Sequence, residues 1–189
     1  DLFLNLISNE ESNEVLLDEY RDMVYDFMES HLNADLSLNL HHEQLIHEST
    51  WGFLKGIQDF SNRITIEFTE FLPSCYVRNN FSTRQWMCDI NKLGYRIALD
   101  DVDSGLNSLQ FVMEHIDLVK VIKFSLLPFR MMDRPTILHF IERWIKISEC
   151  YKVSLVVEAV EDEQLANELS CLGAIYQQGY FWGRGKVLI

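Results

Sequence analysis

Two adjacent aspartates, Asp100 and Asp101, end the apolar run RIALDD and are followed by a glycine at residue 105. Two like charges at the end of a buried strand are unfavourable unless water or a positive group lies beside them. Carboxylate oxygens without a cluster of cysteine or histidine are typical ligands of Mg²⁺, Mn²⁺ or Ca²⁺. The pair is therefore predicted either to be solvated in a loop or, as we favour, to bind a divalent cation.

Other apolar runs in the chain also end in a carboxylate, an amide or a lysine. In a (β/α)-barrel the carboxyl ends of the strands meet at one rim, where the chemistry takes place. Several polar strand ends at one rim would need cations to offset their charge. The residues predicted to converge there with Asp100 and Asp101 are Asn39, Glu67, Lys123, Glu158 and Gln178.

The order of elements supports this arrangement. Hydrophobic periodicity predicts seven strands that alternate with helices, and the strands are apolar on both faces, which is typical of a parallel sheet covered by helices. Seven strands favour a (β/α)-barrel over a short open sheet, and we expect a single domain over residues 1–189. The predicted strands are residues 1–7, 36–40, 64–68, 95–100, 118–124, 153–160 and 175–181; the predicted helices are 13–31, 44–60, 83–93, 108–114, 136–151 and 161–172.

The composition excludes several classes of function. With 29 acidic and 16 basic residues, the net charge of −13 disfavours binding to DNA, which relies on clustered lysine and arginine. Four scattered cysteines show no CxxC spacing, which argues against zinc and for a reducing, cytoplasmic location. No apolar run reaches the roughly 20 residues of a membrane span, and no signal peptide is predicted.

Five segments in order, LSLNL, IEFTE, ALDDVDSG, VVEAVE and QQGYFWGR, resemble the motifs of the EAL domain family. The resemblance implies a TIM-like (β/α)8 barrel, which in this chain would lack its first strand and last helix. It also implies hydrolysis of the bacterial second messenger cyclic di-GMP to linear pGpG, with two divalent cations, Mg²⁺ or Mn²⁺.

The resemblance also implies a role for each strand-end residue. Lys123 would orient the nucleophilic water or stabilise phosphate charge, Glu70 would steady the loop after the paired aspartates, and Gln178 would face water and substrate. Glu158 would act near the metal site in catalysis. The implied metal ligands are Asp1, Asn39, Glu67, Asp100, Asp101 and Glu158.

The catalytic lysine could be Lys123 or Lys120. Three residues apart on a strand, the two side chains point to opposite faces. Lys123 lies nearer the carboxyl end of the predicted strand and shares a face with Val119 and Val121. This position favours Lys123.

The family's E-x-L-x-R signature falls on DLFLN, where the resemblance is weakest. Asp1 would replace the metal-binding glutamate, and Asn5 would replace the arginine that touches a substrate phosphate, losing its charge and bidentate fork. Asp103 adds a negative charge beside the site, and Ser125 or Ile122 stands where an aspartate often follows the lysine. An alternative is therefore a catalytically degenerate domain that binds cyclic di-GMP as a receptor, or a protein-interaction module.

Two neighbouring histidines, His41 and His42, follow Asn39 and could ligate metal, although oxygen ligands already suffice. The resemblance further implies a homodimer interface that uses an outer helix and the loop after the paired aspartates, residues 103–108. It also implies regulatory domains that flank this chain in the native protein.

Overall fold

The computed structural model describes residues 10–70 and 83–184, in which six strands alternate with six α-helices. The chain divides into two compact units, Asp1–Ala98 and Leu99–Ile189. The strands are β1 (Leu36–Leu40), β2 (Ile64–Phe68), β3 (Arg96–Leu99), β4 (Val121–Ser125), β5 (Ser154–Glu158) and β6 (Tyr176–Gln177). The helices are α1 (Glu10–Ser30), α2 (Glu48–Gly56), α3 (Thr83–Lys92), α4 (Leu109–His115), α5 (Arg134–Tyr151) and α6 (Glu163–Leu172).

In the first unit, β1 and β2 form a parallel pair in which Asn39 lies opposite Glu67. Every residue of β2 is buried, so this strand is covered on both faces. Helix α1 packs against α2 and buries Leu17, Val24 and Met28 at helical spacing. The strand ends of this unit therefore lie on a well-packed support.

In the second unit, β4, β5 and β6 pair in parallel, with Ser125 opposite Glu158 and Val157 opposite Gln177. Parallel neighbours need a long crossover. Helix α5 supplies it between β4 and β5 and packs against β5. Ile122, Phe124 and Val157 form the fully buried centre of this unit.

Local capping defines the ends of the two long helices of the second unit. Asp133 accepts a hydrogen bond from the backbone N–H of Thr136 at the start of α5, and Asp162 accepts one from Leu165 at the start of α6. Helix α6 ends at Gly173, whose positive φ of 102° is the usual glycine C-cap. These signals are local, so the sequence predicted both helices closely.

The helix predicted over residues 13–31 corresponds to α1 (Glu10–Ser30), which includes three earlier residues. Asn13, the first residue of the predicted helix, lies inside α1 and is buried. Its Nδ2 donates to Ser49 Oγ at 2.7 Å and to Thr50 Oγ1 at 3.0 Å. Asn13 therefore joins α1 to α2 instead of capping α1.

The predicted helix over residues 44–60 is divided into the 3-10 turn His42–Ile46, α2, and the 3-10 turn Gln58–Arg63. His47 adopts an extended conformation between the first two segments. The carboxylate of Glu10 accepts hydrogen bonds from the backbone N–H of Ser49 and lies 2.8 Å from His47 Nδ1. Because this cap comes from α1, local periodicity could not predict it.

The predicted strands over residues 36–40 and 64–68 match β1 and β2. The strand predicted over 118–124 starts later, at Val121, because Ile116–Leu118 forms a 3-10 turn. The strand predicted over residues 1–7 lies outside the described residues. Among the helices of the described residues, none combines the length and apolarity needed to cross a bilayer. The single domain over residues 1–189 stays a prediction.

Candidate active site

A lysine within β4 lies between two carboxylates of the second unit, Asp100 just after β3 and Glu158 at the end of β5. Lys123 Nζ lies 2.9 Å from Asp100 Oδ1 and 2.9 Å from Glu158 Oε1. The Lys123 side chain is only 11% exposed, and the two carboxylates are 19% and 15% exposed. Partly desolvated ion pairs of this kind are stronger than surface pairs, so the lysine holds a defined position.

Asp101 adds a third carboxylate to this cluster. One oxygen from each of Asp100, Asp101 and Glu158 lies within 4.8 Å of the others. Burial raises the pKa of Asp101, and the neighbouring Asp100 charge raises it further, against the lowering effects of the Ser125 hydroxyl and Lys123. Burial likewise raises the pKa of Glu158, and its ion pair with Lys123 only partly opposes this. The single ammonium group of Lys123 therefore does not offset the charge of the three carboxylates.

The loop that carries the aspartates is held by Asn107, which is fully buried. Its Nδ2 donates to the Asp100 carbonyl at 2.5 Å, and its own carbonyl accepts from the Asp103 N–H at 2.8 Å. The Val102 N–H donates to the Lys123 carbonyl at 2.9 Å, which ties the loop to β4. The backbone turns sharply here, with positive φ at Asp101 and Asp103.

A cavity of about 290 Å³ opens beside these carboxylates. The residues that line it include Asp101, Ser125, Glu158, Gln178 and Tyr180. Ala159 follows Glu158 with a φ of 59°, an unusual conformation for a residue with a Cβ. The cavity is therefore bordered by carboxylates, a hydroxyl, an amide and an aromatic ring.

In the first unit, Asn39 and Glu67 lie side by side in the parallel register of β1 and β2. Glu67 is 8% exposed, whereas Asn39 is exposed. Glu70 lies two residues beyond β2 and is half-buried. These three residues belong to a different unit from the Lys123 cluster, and their predicted roles stay predictions.

The two histidines after β1 have different environments. His42 is buried, with its ring centroid 5.0 Å from that of Phe68, so it belongs to the core. His41 is half-buried and lies beside Thr69, with Nδ1 2.7 Å from Thr69 Oγ1. Burial lowers the pKa of His41 and so favours its neutral form.

The choice between the two lysines is clear in position. Lys120 precedes β4 and is exposed, and its backbone carbonyl accepts a hydrogen bond from the Ser154 N–H. Lys123 lies within β4 among the carboxylates. The geometry therefore places Lys123, rather than Lys120, at the cluster.

The structure brings together four of the predicted residues, Asp100, Asp101, Lys123 and Glu158, and lines the adjoining cavity with Gln178. Asp1 and Asn5 lie outside the described residues. Asn107 was not predicted from the sequence, where its only signal is a polar residue just before the Ser108 cap of α4. The contribution of Ala159 to the cavity wall was not predicted either.

The ligand chemistry of the cluster suits a hard divalent cation. Three carboxylate oxygens within 4.8 Å of one another match the oxygen ligands that Mg²⁺ and Mn²⁺ prefer. Burial is the main cause of the raised pKa values of Asp101 and Glu158, so their charged forms are disfavoured in the metal-free protein, and a bound cation would favour them. In contrast, among the described residues no cysteine or histidine joins these three carboxylates, as would be typical of a zinc site.

Comparisons with known proteins identify the family of this chain. The EAL domain model matches residues 12–185. A curated relative, the cyclic di-GMP phosphodiesterase TpdA of Vibrio parahaemolyticus serotype O3:K6, is 25% identical over 120 residues, which are 63% of this chain and 20% of that protein. The chain therefore spans about a fifth of the length of this relative.

Two solved structures show the likeness of fold. The manganese and cyclic di-GMP complex of Klebsiella pneumoniae BlrP1 gives a TM-score of 0.76 at 18% identity, over 94% of this chain and 46% of that one. The cyclic di-GMP complex of a standalone EAL protein from Vibrio cholerae O395 gives 0.72 at 21% identity, over 92% and 74%. The predicted α/β fold of the EAL barrel type is confirmed. Since the family model matches most of its length, the chain belongs to the EAL domain family.

Proposed function

We propose that this chain is a metal-dependent phosphodiesterase that hydrolyses cyclic di-GMP to linear pGpG. The observation that carries the proposal is the Lys123 ammonium group held 2.9 Å from both Asp100 and Glu158, with Asp101 beside them. Membership of the EAL family and the name of the TpdA relative support the choice of substrate.

Asp100, Asp101 and Glu158 would hold divalent cations, Mg²⁺ or Mn²⁺, and Asn39 and Glu67 are proposed as further ligands from the family pattern. When bound, such a cation supplies a Lewis acid that polarises a phosphate and lowers the pKa of water. The carboxylates would set the position of the phosphate that is cut. The proposed number of cations, two, comes from the family resemblance.

Lys123 has two proposed roles that follow from its position. Its ammonium group would donate hydrogen bonds to the attacking water or to a phosphate oxygen, and its fixed charge would stabilise negative charge that develops on the phosphate. Asp100 and Glu158 keep the ammonium group at the cluster, from which it would shift toward the phosphate when a cation takes up their oxygens.

Glu158 is proposed, from the family pattern, to act near the cations in catalysis, since it lies beside Lys123 and on the cavity wall. Gln178, on the cavity wall, would hydrogen-bond water or substrate. Glu70 is proposed, from the family pattern, to steady the loop after the paired aspartates.

A second candidate function is a cyclic di-GMP receptor without turnover. Asp103 favours it, because this exposed carboxylate in the loop of the paired aspartates departs from the family pattern. The replacement of the family's arginine by Asn5 also favours the receptor. A cytoplasmic location, a homodimer and flanking regulatory domains stay predictions from the sequence.

The test is turnover of cyclic di-GMP by the purified protein with Mg²⁺ or Mn²⁺, followed by chromatography of the products. The proposal predicts pGpG from the wild type and none from Asp101→Ala or Glu67→Ala. Binding of cyclic di-GMP in Ca²⁺ without product in either metal would support the receptor instead. Neither binding nor product would leave the protein-interaction module as the remaining function.

A further inference from the structure

The parallel pairing of β1 and β2 continues beyond the last residues of the two strands. Asn39 lies opposite Glu67 and Leu40 opposite Phe68, and the residues that follow with the same offset are His41 and Thr69. His41 is extended, with φ −79° and ψ 143°, and the Thr69 N–H donates to the Leu40 carbonyl at 3.4 Å. The 2.7 Å contact between His41 Nδ1 and Thr69 Oγ1 closes this extension.

Side chains two residues apart on an extended segment share a face. His41 therefore shares the face of Asn39, and Thr69 shares the face of Glu67, both one step further along. His42 points the other way, against Phe68. The pair of His41 and Thr69 thus stands directly beyond two proposed metal ligands.

His41 could act as a metal ligand or as a substrate-binding residue, and the spacing along the strand distinguishes these two roles. Two residues of a strand rise about 6.6 Å, so His41 starts well beyond the level of the Asn39 amide. Asn39 and Glu67 would hold the cation, and His41, one step further along the same face, would contact the ligand.

From this geometry we infer that His41 is a substrate-binding residue that hydrogen-bonds a phosphodiester oxygen of the cyclic dinucleotide, oriented by Thr69. The inference rests on the proposed function. In the tautomer protonated on Nε2, Nδ1 accepts from the Thr69 hydroxyl and Nε2–H donates to the phosphate. Phosphate oxygens are strong acceptors, and a ring already fixed by Thr69 loses little freedom on binding.

The experiment is calorimetry on the intact chain in Ca²⁺, which measures the binding of Ca²⁺ alone and then of cyclic di-GMP. His41→Ala should raise the Kd for cyclic di-GMP about tenfold, the loss expected for one hydrogen bond to a charged group. Thr69→Val, which keeps the side-chain shape but loses the hydroxyl, should raise it about threefold. The Kd for Ca²⁺ should stay within about twofold of the wild type in both variants.

A control on a surface histidine separates site from charge effects. His139 lies exposed on α5 near Glu142, so His139→Ala should change neither Kd. An unchanged Kd for cyclic di-GMP in both His41→Ala and Thr69→Val overturns the inference alone. A tenfold loss of Ca²⁺ affinity in His41→Ala also overturns it, because His41 would then be a metal ligand. A wild type that binds no cyclic di-GMP overturns the proposed function together with the inference.

Discussion

The Lys123 ammonium group lies 2.9 Å from the Glu158 carboxylate, although the two residues belong to neighbouring strands and are 35 positions apart in sequence. The backbone register places Lys123 opposite Val156, two residues before Glu158 on the same face of β5. The lysine therefore reaches forward, toward the carboxyl ends of the strands. This direction is the basis of its proposed catalytic role.

Replacement of Lys123 should reduce turnover strongly. For Lys123→Met we expect kcat to fall by a factor on the order of 100, as is typical when one preorganised donor to a phosphoryl or acyl group is lost. Lys120→Met removes an equal charge from an exposed position of the same unit and is the matched control. Steady-state hydrolysis of cyclic di-GMP measures both, and equal activity of the two variants would refute the assignment of Lys123.

The raised pKa of Glu158 predicts how the stability of the metal-free protein depends on pH. The folded state holds the Glu158 proton more tightly than the unfolded state does, and this stabilises the folded protein. The stabilisation is fully present below the unfolded pKa of about 4.5 and is lost as pH rises through the folded pKa. Glu158→Gln cannot lose that proton. Its free energy of unfolding should therefore rise relative to the wild type from pH 4.5 to pH 7.5.

Urea denaturation in EDTA at several pH values measures this difference. Hydrogen bonds lower the pKa values of Asp133 and Asp162, so the contribution of these two carboxylates to protein stability is lost as pH falls. They are present in both proteins, so their effect cancels in the comparison. A difference that stays constant with pH, or that falls, would show that Glu158 is not held in an under-neutralised site.

Asn107 should matter for metal binding as well as for folding. Asn107→Ala removes the hydrogen bond to the Asp100 carbonyl, so we expect a loss of about 1–3 kcal/mol in stability and a weaker affinity for Mn²⁺. Gln110→Ala, on the exposed surface of α4, is the control. Mn²⁺ titration followed by electron paramagnetic resonance measures affinity, and an unchanged value would limit Asn107 to a purely structural role.

Position 179 should not tolerate any side chain, because Gly179 lies against the backbone of Val160. A Cβ at Gly179 would overlap the backbone of Val160, and its φ of 152° adds strain. Gly183 has a similar φ of 144° but open space around it. Thermal denaturation should show that Gly179→Ala costs several kcal/mol, whereas Gly183→Ala shows only the cost of strain, about 1 kcal/mol.

Comparable losses in the two glycine variants would mean that the wall of the cavity is free to move. Gly179 lines that cavity beside Gln178, so a displaced backbone there should also weaken ligand binding.

The sequence predicted the features that depend on local pattern. Strands β1 and β2 were predicted residue by residue, since their apolar runs end at clear turn signals. The polar residues at strand ends were also predicted, because Asp100, Asp101 and Glu158 each follow a buried run. Lys123 was favoured over Lys120 by strand alternation and by its position nearer the carboxyl end of the predicted strand.

Features that depend on distant contacts were not predictable in this way. Glu10 caps α2 from another helix, and Asn13 bonds to Ser49 across the same interface. The role of Asn107 depends on a carbonyl seven residues earlier, in a loop whose path has no periodic signal. The ion pairs of Lys123 were unexpected as well, because a cation was predicted to be the partner of the carboxylates.

A crystal structure of the protein grown with Mn²⁺ tests the central claim most directly. We predict an anomalous peak within about 2.0–2.3 Å of oxygens from Asp101 and at least one of Asp100 and Glu158, with Lys123 moved away from the coordinating oxygen. The contradicting result is a structure with no peak at these carboxylates, in which Lys123 still bridges Asp100 and Glu158 at millimolar Mn²⁺.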